Sequence, residues 1–134
     1  MEARTDPGEV RGVKVIFIQY GMGVDLHGQD ITTASIRAVR DAIHRNSMPG
    51  LRGMIPSGDL RDMIVRVKLG VPMDSPQVDT ERVRAEFPYG HVEIQVVPGG
   101  LATTSGVMLT EQGDRNDLAY IVVAAVEVGF EEGV

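Results

Sequence analysis

The sequence predicts a single α+β domain with element order β-α-β-α-β-β, a mixed sheet of four to five strands and two helices on one face. Three observations carry this. Residues 13–20 (VKVIFIQY) and 118–128 are short apolar runs of strand length, rich in β-branched residues. Residues 64–71 and 91–97 alternate apolar and polar at period two, as half-buried strands do. Between these runs, residues 30–46 and 79–87 carry apolar residues at helical spacing behind capping residues.

The elements follow in order. Residues 1–11 are charged, with Pro7 and Gly8, and are expected to form a flexible leader to a domain spanning 12–130. The first strand is apolar on both faces, which predicts a central position. A glycine-rich loop, GMGVDLHGQD, is expected next, with Asp30 or Thr32 capping the first helix. Ile36, Val39, Ala42 and Ile43 form the predicted apolar stripe, with Arg37 and Asp41 as an i,i+4 pair on the other side. PGLRGMIPSGD is expected to be an irregular connection. In the second strand Val65, Val67, Leu69 and Val71 point one way, Arg66 and Lys68 the other. A short helix with Val83, Ala85 and Phe87 ends at Pro88 and Gly90. In the third strand Val92, Ile94 and Val96 oppose Glu93 and Gln95. Residues 107–110 are expected to be extended, EQGDRND a turn, the last strand central and 131–134 an acidic tail.

Composition excludes several classes. With 134 residues the chain can bury a core without staples, and with no Cys it has neither disulfides nor a thiol nucleophile. A net charge of −6 and the absence of Trp argue against nucleic-acid binding. No run approaches a membrane span and the N-terminus has no apolar signal core, so the cytoplasm is the expected location. Two helices cover one sheet face only. The apolar second faces of the outer runs therefore predict a homo-oligomer, a trimer ahead of a dimer.

The best-marked candidate site is the loop after the first strand. Gly21, Gly23 and Gly28 free the backbone, and amides near Gly28 and Gln29 at a helix N-terminus suit an anionic ligand. Asp25 and His27 suit an orienter and general base, or cation ligands with Asp30 as a third. No cofactor and no metal is assigned. Lys68 and Arg66 would add positive charge, Arg66 lowering the pKa of Lys68. Ser105 is the candidate nucleophile, and Pro98-Gly99-Gly100 a turn whose glycines bring amides near a ligand.

GMGVDLHGQD, the following helix, VRVKLGVP and EFPYG together resemble a family of short bacterial conserved hypothetical proteins, over about residues 13–129. The element order is similar to the trimeric chorismate-mutase-like fold, which implies ligand sites between subunits. TTSGVML, at residues 103–109, resembles the serine stretch in each repeat of the ring-opening amidohydrolases, the cyanuric acid amidohydrolase and barbiturase group. That likeness implies Ser105 as nucleophile. Those repeats carry a Lys near the end of the first strand, where this chain has Gln19, Tyr20 and Met22. Two functions follow: a hydrolase acting on a polar cyclic or anionic metabolite, or a non-catalytic metabolite-binding or structural trimer.

Overall fold

The computed structural model describes residues 12–73 and 75–132. The expected leader at 1–11 lies outside the described residues, as do residues 133–134 of the expected tail. The chain is α+β. Strand β1 (Val13–Asp25) is followed by helix α1 (Ile31–Ile43), helix α2 (Leu51–Met54), strand β2 (Met63–Val71) and helix α3 (Thr80–Arg84). Strands β3 (His91–Pro98), β4 (Leu101–Thr104) and β5 (Leu118–Glu131) complete it. The five strands form one mixed sheet in the order β1-β5-β2-β3, with β4 also paired to β5. β5 runs antiparallel to β1, β2 and β4, while β2 and β3 are parallel.

β5 is therefore central, as its two-sided apolar character predicts. β1 is not. Among the described residues it pairs with β5 alone and forms an edge of the sheet. It is also longer than expected. Gly21 and Gly23 belong to its paired ladder, opposite Ala124 and Val122, and not to a loop. The physical reason is close packing. α1 presents Ala34, Ala38 and Ala42 at four-residue spacing, all buried. A Cβ at Gly21 would overlap the carbonyl oxygen of Ala38, and one at Gly23 that of Ala34. The helix can lie this near the sheet only because both surfaces are stripped of bulk.

The predicted alternation of β2 holds. Val65, Val67 and Leu69 are buried in the core under α1 and α3, joined by Val122, Val126 and Val83. Arg66, Lys68, Glu93 and Gln95 share the opposite, helix-free face, since Val65 is in register with Val92 and Arg66 with Glu93. Asp30 is the N-cap of α1, its Oδ1 accepting the amides of Thr32 and Thr33 at 3.0 and 3.2 Å. The helix stripe centres on its alanines, with Ile36 and Ile43 at the margin.

Two local expectations change. The connection at 49–59 holds one turn of α2, and a 3-10 turn follows at Leu60–Asp62. The extended piece before β5 is Leu101–Thr104, not 107–110, because β4 finds its partners at residues 118–121 of β5. The chain leaves β3 at Gly99 and Gly100, crosses the end of β2, and continues as β4. A Cβ at Gly100 would lie 2.8 Å from the carbonyl oxygen of Gly70, so glycine is what lets the crossing be this tight.

Candidate functional site

The segment Asp25–Asp30 is held by bonds within the chain. Asp25 is buried; its Oδ2 accepts the amide of Asp30 at 2.8 Å and its Oδ1 lies 3.3 Å from the Arg37 guanidinium. His27 Nδ1 lies 2.7 Å from Asp114 Oδ2, and the Gly28 amide donates to Asp114 Oδ1 at 2.6 Å. The Leu109 amide donates to the same carboxylate at 2.9 Å. Gln29 takes a positive φ of 50° and is buried. Its Oε1 accepts the amide of Arg115 at 3.2 Å, and its Nε2 donates to the Leu118 carbonyl at 3.3 Å and to Asn116 Oδ1.

The anion expected at the Gly28 amide is thus present as Asp114, a residue of the chain itself. Amides of Leu109 and Gly28, with His27, hold the Asp114 carboxyl below the usual carboxylate range against the cost of its burial. For Asp30, burial raises the carboxyl pKa, but bonds from Thr33 and Thr32 outweigh it and the net shift is downward. Both carboxylate oxygens of Asp25, Nδ1 of His27 and Oδ1 of Asp30 are engaged in these contacts. Among the described residues no group of three His, Cys, Asp or Glu is placed to hold a metal ion.

The other predicted site residues lie elsewhere. Lys68 pairs with Ala125 of β5, and Asp25 with Tyr120. Five residues of strand separate these rows, about 17 Å, and the two side chains point to opposite faces. Arg66 sits one row further away and pairs with Glu127 at 2.9 Å. Ser105 lies past the end of β4, where its Oγ is 2.8 Å from the Val107 carbonyl and 3.0 Å from that of Asp117. Its one proton serves backbone acceptors there.

A concavity of about 490 Å³ does gather three of the predicted residues, Lys68, Gly21 and Gly99. Tyr20, Met22, Val97 and Val123 are among its other lining residues, and none of these four is a site residue predicted from the sequence. The available signal was the alternation of YGMGV, which places Tyr20 and Met22 on one face and the two glycines on the other. Asp114 was also missed, inside a segment read as a plain turn.

Arg37 and Asp41 of α1, with Arg45 just beyond its C-terminal end, bond the outer side of β1 near its end. Arg37 Nη1 donates to the Val24 carbonyl at 2.7 Å, Asp41 Oδ2 accepts the Met22 amide at 2.8 Å, and Arg45 Nη2 donates to the Tyr20 carbonyl at 3.2 Å. Residues 37, 41 and 45 follow one another at helical spacing, 24, 22 and 20 at strand spacing. The outward backbone groups of an edge strand are the usual template for unwanted pairing, and here one such group on each of Tyr20, Met22 and Val24 is occupied. The Arg37 and Asp41 of the expected i,i+4 pair each reach the strand instead.

Among the described residues, the fold is a small α+β arrangement with helices on one sheet face, none on the other, and part of the outer edge of β1 bonded by Arg37, Asp41 and Arg45. The chain belongs to the Lin0512_fam family of conserved hypothetical proteins, whose family model matches residues 15–128. A crystal structure from Nostoc punctiforme, of a protein described as FtsZ-like and of unknown function, is similar to it. The two are 38% identical with a TM-score of 0.77, over 90% of this chain and 98% of that one. No curated protein matches the chain. No helix among the described residues is long and apolar enough to cross a membrane.

Proposed function

We propose that this protein is a homo-oligomeric binding module that works through its helix-free sheet face. One observation carries the reading: that face exposes a contiguous apolar strip. Ile18, Tyr20 and Met22 of β1 and Val123 of β5 are neighbours there, with Tyr20 67% exposed. Beside the strip, Arg66, Lys68, Glu93 and Glu127 mix both signs, so a second copy can meet opposite charge as well as apolar surface. The bonded outer side of β1 favours contact through the face over contact through that edge. A closed ring suits such a surface, and likeness to the chorismate-mutase-like fold favours a trimer.

The binding reading is favoured over a hydrolase of the ring-opening amidohydrolase kind. Ser105 is engaged with backbone carbonyls, and its place beside Asp117, just before β5, is eight residues from the row of Lys68, about 27 Å. The test is light scattering on the full chain at micromolar concentration. The expected mass is a multiple of 14.5 kDa, reduced to that value by Met22→Asp. A clean monomer for the unaltered chain overturns the assembly.

A further inference from the structure

The loop after β1 and the loop before β5 interlock. Asp114, its side chain 1% exposed, accepts the amide of Gly28 on one carboxylate oxygen and that of Leu109 on the other, and the second oxygen also meets His27 Nδ1. Gln29, at a positive φ that few residues other than glycine adopt, reaches from the first loop to Arg115, Asn116 and the start of β5. A Cβ at Gly28 would lie 3.1 Å from the Gln112 carbonyl oxygen, so neither loop has much room to shift. The His27 ring is therefore mounted on a rigid base.

This mounting decides the tautomer. Both oxygens of Asp114 take backbone N–H groups, and the Leu109 and Gly28 amides hold the carboxyl below its usual range. An ionised carboxylate only accepts, so Nδ1 of His27 is the donor. In the neutral ring the lone pair then lies on Nε2. Among the described residues no hydrogen bond reaches Nε2, and the His27 side chain stays 19% exposed. A carboxylate on one ring nitrogen and an open lone pair on the other make a base or a nucleophile.

We propose that His27 is a nucleophilic acyl-transfer site for small uncharged esters, with Asp114 as its positioning residue. Nε2 gives its lone pair to the ester carbonyl carbon. The bond from that carbon to the leaving oxygen breaks, and the leaving group departs with its electron pair as an alkoxide or phenolate. The ring, acylated on Nε2 and still carrying the Nδ1 hydrogen, is a cation, and the Asp114 carboxylate lies against it. Water then adds to the acyl carbon, the bond to Nε2 breaks, and its electron pair returns to the ring. One proton of that water stays with the acid and the other goes to the leaving oxygen. The same carboxylate repels an anionic donor, and the exposed Leu26 beside His27 offers apolar contact, so an uncharged ester is favoured. The site uses no residue of the helix-free face and does not depend on assembly.

The test is limited carbethoxylation of the full chain by diethyl pyrocarbonate, mapped by mass spectrometry, with hydrolysis of p-nitrophenyl acetate as the turnover assay. The chain has three histidines. His44 and His91 are exposed, so accessibility alone puts them ahead of His27. The reverse is expected, with His27 modified faster by about tenfold or more, the usual worth of a carboxylate behind a histidine. Asp114→Asn should bring His27 to the rate of His44 or below. His27→Gln keeps a donor toward Asp114 and should abolish the ester hydrolysis that His44→Gln and His91→Gln leave intact. Nitrogen NMR of the unaltered chain should place the ring hydrogen of neutral His27 on Nδ1, a readout that needs no variant to fold. Modification of His44 or His91 ahead of His27, a ring hydrogen on Nε2, a folded Asp114→Asn chain in which His27 keeps its lead, or hydrolysis unchanged by His27→Gln overturns the proposal.

Discussion

Gly23→Ala tests whether the glycines of β1 serve packing. A methyl at that position would overlap the backbone of α1 at Ala34 and Ala38 and lie 2.8 Å from the carbonyl carbon of Arg37. These are helix backbone atoms, with no flexible side-chain end to swing aside. Restoring carbon contacts of about 3.5 Å requires α1 to withdraw by about 1 Å along its packed length. Overpacking of this kind costs about 1–3 kcal/mol, and a rigid obstacle on a buried helix places the change at the upper end, about 3 kcal/mol. At about 4 °C per kcal/mol for a chain of this size, the melting temperature should fall by about 12 °C. The control is Gly53→Ala, which meets nothing within 4 Å and sits in the exposed turn of α2. It should be neutral or stabilise by up to about 1 kcal/mol. Both are read by thermal and urea unfolding followed by circular dichroism. A Gly23→Ala protein melting within about 2 °C of the parent would refute the packing argument and return the glycine to a ligand-binding role.

Val65→Asp should cost about 3 kcal/mol or more, since it buries an unpaired carboxylate under the helices, while Arg66→Met should cost about 1 kcal/mol or less; equal losses in urea unfolding would show the strand register to be wrong. The Asp114 carboxyl is held low in the folded chain, so its contribution to stability is present above the ordinary carboxylate value of 3.8 and is lost as pH falls through the lowered folded value. Asp114→Asn should therefore flatten the acid limb of melting temperature against pH, and an unchanged limb would deny that Asp114 ties the two loops. Asp41→Ala frees the outward amide of Met22, and light scattering on warming should show earlier, concentration-dependent association than in the parent; identical traces would mean that the edge is protected by something else.

What the sequence made legible was local. β2 was readable because a strand with one buried face must alternate, and Val65, Val67 and Leu69 do. The cap at Asp30 was readable because its side chain bonds amides two and three residues on. The glycines were misplaced because one residue type serves both a turn and a close approach, and only the position of α1 separates the two. Residues 107–110 and 101–104 are both plausible as extended chain; the partner strand β5 decides between them. The contact of His27 with Asp114 spans 87 residues of sequence, and no local pattern announces it. Without it, the bonds that hold Asp25 and His27 Nδ1 within the fold are invisible in the sequence.

The two-sided apolar character of β1 carries more information than the strand position it first suggested. An apolar second face arises when a strand is covered on both sides, and covering need not come from the same chain. In β1 the odd positions 21 and 23 are reduced to glycine so that α1 can approach, while the even positions 20 and 22 keep large side chains that stay exposed among the described residues. A strand under pressure only to be soluble would place charge at those even positions, as β2 does with Arg66 and Lys68. Meanwhile Arg37 and Asp41 of α1, with Arg45 just beyond it, bond outward backbone groups of Val24, Met22 and Tyr20 in the same strand. Blocking edge contact while leaving Tyr20 and Met22 open on the face is a directional arrangement: it closes one route to association and leaves the other. Under the proposed function, that combination directs the search for a partner to the face.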